Sequence, residues 1–308
     1  MQIISGARQL PDALRGGVLT IGNFDGVHRG HQIILAQVTA RALSLNVPAV
    51  AMTFDPHPAK LLAPERPLRL IQTTAQRLRA LAAWQLTATI LEPFTSEFAR
   101  ITAPEFCDEM LATRFVPREI IVGYDFTFGR HRAGRTATLT AWGERAGCAV
   151  TIVEPIFVGE TLVSSSLIRD CIARGELVAA HTALGRPFAL EGHVVSGEGV
   201  GRQLGFPTLN MEQHGELLPP EGIYITSARF DEDTALLPSV SYLGRKPTFG
   251  GVTPVIETHL LVPLPATPSR LEIFFHQGLR ADQAFISTEE LQSQIARDVA
   301  AARHYHGL

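Results

Sequence analysis

Apolar and polar positions follow two different patterns along this 308-residue chain. In roughly the first 184 residues, short apolar runs alternate with segments whose apolar residues recur at helical spacing. The runs are typical of buried strands and lie at residues 18–21, 47–54, 88–94, 120–122 and 150–156. The helical segments start near residues 31, 74 and 102 and cover about 139–146. This alternation predicts an α/β fold, with a doubly wound parallel sheet covered by helices on both faces.

The pattern changes at Gly185-Arg186-Pro187, where glycine ends a helical segment and proline prevents its continuation. Helical spacing is then absent until Glu289. Five short, partly alternating runs take its place, at residues 190–195, 222–230, 238–243, 255–261 and 271–275. They predict a small antiparallel β-barrel, followed by a terminal helix that begins with a capping box at Ser287 and Glu290. We therefore predict two domains, residues 1–184 and 185–308.

Composition narrows the classes of function. Hydrophobic residues make up 45% of the chain and charged residues 19%, with a formal net charge of −3, so we expect globular cores and no nucleic-acid partner. The N-terminal residues lack a signal-peptide pattern, and no apolar run approaches the roughly twenty residues that span a bilayer. Cys107, Cys148 and Cys171 have no CxxC spacing, which favours buried reduced thiols. We expect a cytoplasmic protein without membrane contact; the sequence indicates no oligomeric state.

The first segment with candidate functional residues is Thr20–His31, TIGNFDGVHRGH. A strand, a glycine-containing turn and a helix start follow one another there, so free backbone N–H groups and the positive end of the helix dipole favour phosphate. His28 and His31 bracket Gly30, and two imidazoles can donate hydrogen bonds to phosphoryl oxygens. The spacing alone also fits a surface histidine pair or half of a metal site.

A second element of this kind is Val163–Arg169, VSSSLIR. Its hydroxyls lie at a predicted helix N-terminus, and Arg169 follows about one turn later, where it could reach a phosphate on the same side. Alone, the segment could equally be a serine cap with an exposed arginine. Together with HxGH after the first strand, it resembles the nucleotidylyltransferase superfamily, whose two signatures are HxGH and a serine-rich motif ending in arginine.

Further segments narrow the resemblance to one family. GNFDGVHRGH, TFDPHP (residues 53–58) and VGYDFTFG (residues 122–129) resemble the FMN adenylyltransferase half of bacterial bifunctional riboflavin kinase/FAD synthetases. Past the predicted boundary, residues 201–210 resemble that family's GxxLGFPTAN signature, residues 218–224 its LPxxGVY and residues 244–249 its GxxPTF. Glu257-Thr258 is similar to the segment that holds its acidic residue. The resemblance covers essentially the whole chain.

In the first half, the resemblance implies an ATP site for adenylylation of FMN to FAD. His28 and His31 would bind the ATP phosphates and stabilise charge on the departing pyrophosphate. The other positions implied at this site are Gly22, Asn23, Asp25, Ser164, Ser165 and Arg169. Asp55, His57 and Asp125 would help to place the flavin or nucleotide, although each residue could equally form a turn.

In the second half, the resemblance implies phosphorylation of riboflavin to FMN by ATP. Thr208 and Asn210 supply hard oxygen ligands suited to Mg²⁺, which the family places there. Glu257 matches the base that takes a proton from the ribityl hydroxyl, or is an exposed strand glutamate. Gly199 and Gly201 belong to a predicted mobile phosphate loop, and Arg280 resembles a contact on the flavin side.

One segment departs from the family pattern. After Glu257 the family usually has an acidic loop ending in DLYG, whereas residues 261–269 here are apolar and proline-rich. Three hypotheses therefore stay open: an enzyme with both activities, an FMN adenylyltransferase with an inactive barrel, and a flavin-binding regulatory protein without catalysis. The first is favoured by the presence of the residues that carry the implied chemistry: His28, His31, Arg169, Thr208, Asn210 and Glu257.

Overall fold

The computed structural model describes residues 1–231, 234–248, 251–263 and 268–308, with backbone alone at 246–248 and 251–253. The chain forms two compact units. The first comprises Met1–Arg69 and Thr74–Ser165, and the second comprises Leu70–Thr73 and Ser166–Leu308. The predicted functional boundary at residue 185 lies within the second unit and stays a prediction. Residues 264–267 of the proline-rich segment lie outside the described residues.

The first unit alternates strands and helices. Its strands are β1 (Gln2–Ser5), β2 (Val18–Ile21), β3 (Ala49–Asp55), β4 (Ala88–Pro93), β5 (Glu119–Gly123), the short β6 (Thr127–Phe128) and β7 (Gly134–Arg135), β8 (Ala149–Val153), and the short β9 (Phe157–Val158) and β10 (Thr161–Leu162). Its helices are α1 (Arg29–Leu45), α2 (Pro58–Leu62), α3 (Thr74–Ala82), α4 (Ala103–Glu105), which continues as a π-helical stretch over Phe106–Phe115, and α5 (Thr136–Ala146). Thr102 and Glu105 form the capping box of α4.

Six strands form a parallel sheet in the order β1-β4-β3-β2-β5-β8. The chain runs from β2 to one side of the sheet through β3 and β4, and later to the other side through β5 and β8. The order therefore reverses between β2 and β5, and ligands of such sheets bind beyond the carboxyl ends of the strands at this switch point. The strand β1 was not predicted, because its four residues are mostly exposed at a sheet edge.

The core of the first unit lies on both faces of this sheet. Successive residues of β2 and β3 belong to opposite layers: Leu19 and Met52 pack on one side, while Val18 and Ala51 pack on the other. Because side chains alternate along a strand, a strand buried on both faces is apolar throughout. The prediction of a doubly wound parallel sheet is confirmed.

The second unit holds an antiparallel barrel. Its helices are α6 (Ser165–Ala173, starting at the last residue of the first unit), α7 (Leu177–Leu184), α8 (Val200–Gln203) and α9 (Thr288–His306). Its strands are β11 (Phe188–Val195), β12 (Leu209–Gln213), β13 (Gly222–Phe230), β14 (Leu237–Thr248), β15 (Gly251–Leu260) and β16 (Arg270–Ala281). They close in the order β11-β12-β15-β14-β13-β16. The predicted barrel and terminal helix are confirmed; β12 and α8 were not predicted.

Helix α9 packs on the outside of the barrel. The side chain of Ser287 caps it by accepting a hydrogen bond from the Glu290 N–H. Ala302 is fully buried against Ile225 and Val240, with Val299 beside them. One face of the helix is therefore buried against the barrel.

A four-residue segment, Leu70–Thr73, belongs to the second unit although its neighbours in sequence belong to the first. The Leu70 N–H donates to the Glu216 carboxylate at 3.1 Å, and the Thr73 hydroxyl donates to the Glu191 carboxylate. The side chains of Leu70 and Ile71 are buried. We call this segment the strap; no sequence pattern predicted it.

The cysteines and the helices can be compared with the predictions of buried thiols and of no membrane span. Cys107, Cys148 and Cys171 are buried and form no disulfide, and burial raises the pKa of Cys107 and of Cys148 to about 11. In the part of the chain that the structure describes, no helix is both long enough and apolar enough to cross a membrane.

Candidate active sites

His28 is the N-cap residue of α1, directly beyond the carboxyl end of β2. Its Nδ1 accepts a hydrogen bond from the His31 backbone N–H at 3.4 Å, as an N-cap side chain does with the third residue of a helix. The rings of His28 and His31 stack with centroids 3.7 Å apart. A Cβ at Gly30 would come within 3.2 Å of the His28 ring, so glycine allows the ring to lie against this turn.

The second histidine is kept neutral. Burial, followed by repulsion from His28, lowers the pKa of His31 well below its usual value. Its Nδ1 is buried, and no hydrogen-bond partner for it is found among the described residues. Phe24 meets the ring edge-on at 5.1 Å. A neutral ring with a buried nitrogen that has no hydrogen-bond partner is typical of a ligand-binding residue. It does not fit the alternative of a surface histidine pair.

The turn between β2 and α1 is compact. Phe24 and Val27 have positive φ angles of 50° and 39°, beside Gly26 at 84°. Asp25 is 2% exposed, and its backbone carbonyl accepts a 2.8 Å hydrogen bond from the Ser165 hydroxyl. The start of the serine-rich segment therefore lies against the HxGH turn, as the two-signature hypothesis requires.

The other residues predicted for this site differ in their burial and in their contacts. Gly22 lies against Phe24, since a Cβ there would come within 3.2 Å of that ring. Asn23 is exposed, and Ser164 is partly buried. Arg169 donates to the Ser166 hydroxyl at 3.3 Å within the second unit. Its approach to the ATP phosphates stays a prediction.

The predicted flavin positions of the first half follow β3 and β5, the strands on either side of β2. The Asp55 carboxylate accepts a 2.9 Å hydrogen bond from the Thr74 hydroxyl. His57 is 8% exposed and caps α2 through a 3.1 Å bond from the Ala59 N–H to its Nδ1. Asp125 is exposed just after Gly123. Asp55 and His57 thus do have the turn-forming contacts that the sequence left open.

One buried cation at this edge was missed by sequence reasoning. Arg77, in α3, is 3% exposed and bonds to backbone carbonyls after β2 and at the end of β3. An arginine in an amphipathic helix is ordinarily a surface residue, so its type and spacing gave no signal.

In the barrel, the proposed kinase groups come together on β12, on the residue directly before it and on β15. Asn210 pairs with Glu257 across the two strands, and the Thr208 hydroxyl donates to the Glu257 carboxylate at 3.4 Å. A Cβ at Gly197 would come within 2.1 Å of the Asn210 amide, and one at Gly201 would come within 3.2 Å of the Thr208 hydroxyl. Both glycines therefore allow the loop backbone to lie directly over these side chains.

The predicted phosphate loop is partly helical. Gly199, with φ 74°, is the N-cap of the short helix α8. The Phe206 N–H returns to the Gly201 carbonyl at 2.7 Å, and Gln292 of α9 donates to the Leu204 carbonyl at 3.1 Å. The loop is thus tied at its C-terminal end to the terminal helix.

Arg280, the predicted flavin-side contact, has several donors already engaged. Its Nη2 lies 2.8 Å from the Asp298 carboxylate, which also accepts from Nε at 3.1 Å. Its guanidinium lies over the Phe285 ring at 5.7 Å. Asp298 is 7% exposed, so this pair anchors α9 to β16, and a flavin contact by Arg280 stays a prediction.

Fold and site together define a nucleotide-using transferase with two catalytic modules, and comparison with known proteins agrees. The FAD synthetase family model matches residues 10–167, and the riboflavin kinase family model matches residues 184–306. The bifunctional riboflavin kinase/FMN adenylyltransferase of Escherichia coli K12 is 34% identical over 100% of this chain and 99% of its own length. The protein of that name from Pseudomonas fluorescens is 36% identical over 98% and 97%.

Among solved structures, one described as a macrolide-efflux protein from Streptococcus pneumoniae matches with a TM-score of 0.87 and 26% identity, over 98% of each chain. The chain belongs to the bifunctional riboflavin kinase/FMN adenylyltransferase family. Membership of this family confirms the predicted conversion of riboflavin to FMN and of FMN to FAD.

Proposed function

We propose that the β2–α1 turn is the site at which the enzyme transfers the adenylyl group of ATP to FMN. The observation that carries this proposal is the stacked pair of His28 and His31 at the N-terminus of α1, at the switch point of the sheet. Gly22, Asn23, Asp25, Ser164, Ser165 and Arg169 would complete the ATP site. Helix N–H groups and imidazole donors suit the triphosphate.

The reaction at this site is an in-line displacement. An oxygen of the FMN phosphate attacks the α-phosphorus of ATP, the bond from that phosphorus to the bridging oxygen breaks, and pyrophosphate leaves. His28 would donate from Nε2, because its Nδ1 is an acceptor of the His31 N–H. Such donors stabilise the charge that develops on the departing pyrophosphate, and no covalent protein intermediate is needed.

We propose that Glu257 is the base of the riboflavin kinase reaction in the barrel. It would accept the proton of the terminal ribityl hydroxyl as that oxygen attacks the γ-phosphorus of ATP and ADP leaves. The close packing of Gly197 and Gly201 against Asn210 and Thr208 supports an ATP phosphate site beside Glu257. Gly199 would be part of the same loop.

Thr208 and Asn210 fit a magnesium site in the barrel. They offer neutral hard oxygens next to a carboxylate, as their 3.4 Å and cross-strand contacts with Glu257 indicate. The described residues contain no cluster of three His, Cys, Asp or Glu side chains that could hold a metal. A site of few protein ligands suits Mg²⁺, which bridges substrate phosphates and keeps several waters. When bound, it would neutralise phosphate charge.

The remaining assignments are also proposals. Asp55, His57 and Asp125 would position flavin or nucleotide near the adenylyltransferase site, and Arg280 would do so in the barrel. Functionally the modules would divide as residues 1–184 and 185–308. We propose that the enzyme works in the cytoplasm on small molecules and without nucleic acid. The absence of disulfides between its cysteines and the net charge of −3 support this proposal.

One experiment tests both activities. The purified full-length protein is incubated with riboflavin, ATP and Mg²⁺, and separately with FMN, ATP and Mg²⁺, and flavins are separated chromatographically. We expect FMN and FAD from riboflavin. FAD formed only when FMN is supplied would indicate an inactive barrel, and flavin binding without turnover of either substrate would indicate the regulatory hypothesis.

A further inference from the structure

The buried guanidinium of Arg77 joins the two turns that carry the adenylyltransferase motifs. Its Nη1 donates to the Asn23 carbonyl at 3.0 Å, and its Nη2 donates to the Phe54 carbonyl at 2.8 Å. Asn23 lies in the turn that leads to His28, and Phe54 lies at the end of β3, immediately before Asp55. The Thr53 hydroxyl donates to the same Asn23 carbonyl at 3.1 Å. Two hydrogen bonds from different elements therefore fix one backbone oxygen.

Packing alone does not explain a charge at this position. Burial lowers the pKa of Arg77, while Asp55 and Asp25 act in the opposite direction and raise it. The guanidinium nevertheless stays protonated, as arginine does in proteins. Desolvating a cation costs free energy that an apolar side chain of similar volume would avoid. In addition, its Nε is buried and has no hydrogen-bond partner among the described residues.

The backbone next to Asn23 has a conformation that needs external support. Phe24, at φ 50°, and Val27, at φ 39°, adopt left-handed backbone angles that residues with a Cβ rarely take. Such residues are strained and persist only where the surrounding structure holds them. The bond from Arg77 fixes the carbonyl just before Phe24. The path from Asn23 to His28 thus depends on a contact made by α3.

We propose that Arg77 is a positioning residue for adenylyl transfer. By holding the Asn23 and Phe54 carbonyls together, it sets where His28 and Asp55 stand relative to ATP and FMN. It does not touch the reacting atoms. The inference rests on the proposed adenylyltransferase site, which it deepens by adding a residue outside both sequence signatures.

The test uses three variants of the full-length chain. Arg77→Met removes both hydrogen bonds and the charge, and Arg77→Lys keeps the charge and one donor group. Arg79→Met is the matched control, because Arg79 is exposed on the same helix. For each protein, kcat and KM for ATP are measured in FAD formation from FMN, and the rate of FMN formation from riboflavin is measured in the same preparation.

We expect Arg77→Met to lower kcat of FAD formation by about tenfold to a hundredfold, because a misplacement of about 1 Å can cost that much. Arg77→Lys should recover part of the loss. Arg79→Met should match the wild type, and riboflavin phosphorylation should stay within about twofold in all three, since their substitutions lie in the other unit.

Several outcomes would overturn the inference. They are an unchanged kcat in a folded Arg77→Met protein, equal losses of both activities, and equal defects in the Lys and Met variants, which would indicate only a folding role. If Arg77→Met does not fold, the kcat of Arg77→Lys decides alone: a value equal to that of the wild type refutes positioning by the paired bonds. A wild type that makes no FAD from FMN would instead refute the proposed function itself.

Discussion

The Nδ1 atom of His28 accepts a hydrogen bond from the backbone N–H of His31, at 3.4 Å. Through this contact His28 caps α1, while its proposed catalytic role is to donate a hydrogen bond to phosphate. Since Nδ1 is the acceptor, Nε2 is the ring nitrogen that can donate a hydrogen bond. The two roles therefore use different ring nitrogens and can be separated by mutation.

His28→Asn should separate capping from catalysis. Asparagine is an effective N-cap, so α1 should keep its stability, but its short amide cannot reach where the imidazole Nε2 stands. We expect FAD formation from FMN to fall by about a hundredfold to a thousandfold, the typical effect of removing one preorganised donor. His28→Ala should lose the same activity and also destabilise the unit by about 1 kcal/mol.

Steady-state FAD formation and thermal unfolding of both His28 variants check this prediction. His304→Ala, at an exposed position of α9, serves as the histidine control. Riboflavin phosphorylation should stay within a few-fold in every variant. Full FAD synthesis by His28→Asn would refute the catalytic role of the ring.

Glu257→Gln should remove the proposed base of the kinase reaction while keeping the shape and hydrogen bonding of the side chain. General-base catalysis typically contributes about a hundredfold to ten-thousandfold, and we expect the rate of FMN formation to fall by that range. Riboflavin binding, measured by fluorescence quenching, should be retained, as should FAD formation from FMN. Glu212→Gln, exposed on the neighbouring strand, is the control. A Glu257→Gln enzyme as fast as the wild type would exclude Glu257 as base.

Asn210→Ala should raise the magnesium concentration that gives half-maximal riboflavin phosphorylation. The Asn210 amide lies against Gly197, and Asn210 pairs with Glu257 across the strands, so its loss removes one neutral oxygen ligand and leaves the carboxylate in place. The measurement is a Mg²⁺ titration at saturating ATP. The Mg²⁺ dependence of FAD formation in the same protein is the internal control and should not change. An unaltered kinase titration would contradict the assignment.

Acid should destabilise the barrel through His276. Burial, then the nearby His306 and His181, lower the pKa of His276 to about 4, and its ring bonds to the Ser227 hydroxyl at 2.8 Å and lies beside Tyr305. Below its ordinary pKa of about 6.5, the unfolded chain binds a proton that the folded chain does not. Stability therefore falls as pH decreases from about 6.5 toward 4.

Urea unfolding of the full chain at pH 7 and pH 5 measures this effect. The difference between the two free energies of unfolding should be smaller in His276→Gln than in the wild type. His304→Gln, exposed on α9, should behave as the wild type does. Equal pH dependence in the wild type and His276→Gln would show that other groups are responsible.

Sequence patterns predicted those features whose cause is local. The buried strands of the sheet are continuous apolar runs, and the barrel strands alternate between turn residues, so both folds were predictable. The capping signals at Thr102 and Ser287 and the left-handed Gly185 at the end of α7 were predictable for the same reason. The edge strand β1 and the short β12 have weaker patterns and were missed.

Contacts between distant positions could not be predicted in this way. Ser165 and Asp25 are 140 positions apart, and only the fold shows that a hydroxyl of one signature bonds to the backbone of the other. Arg77 has the residue type and spacing of a solvated helix face, yet it is buried. Arg280 was assigned through the family resemblance, whereas its pairing with Asp298 depends on how α9 packs on the barrel.

The strap affects whether the two fragments dissociate after proteolytic cleavage of the chain. Because Leu70–Thr73 belongs to the second unit, the chain crosses between the units after Arg69, after Thr73 and after Ser165. A protease nick near Gly185 would therefore leave the strap on the N-terminal fragment and its acceptors Glu191 and Glu216 on the C-terminal one. Helix α7, which packs on β16 and β11, would also stay on the N-terminal fragment. The nicked halves should therefore still migrate as one particle until denaturant separates the strap and α7 from the barrel, so a single backbone cut does not release a free barrel.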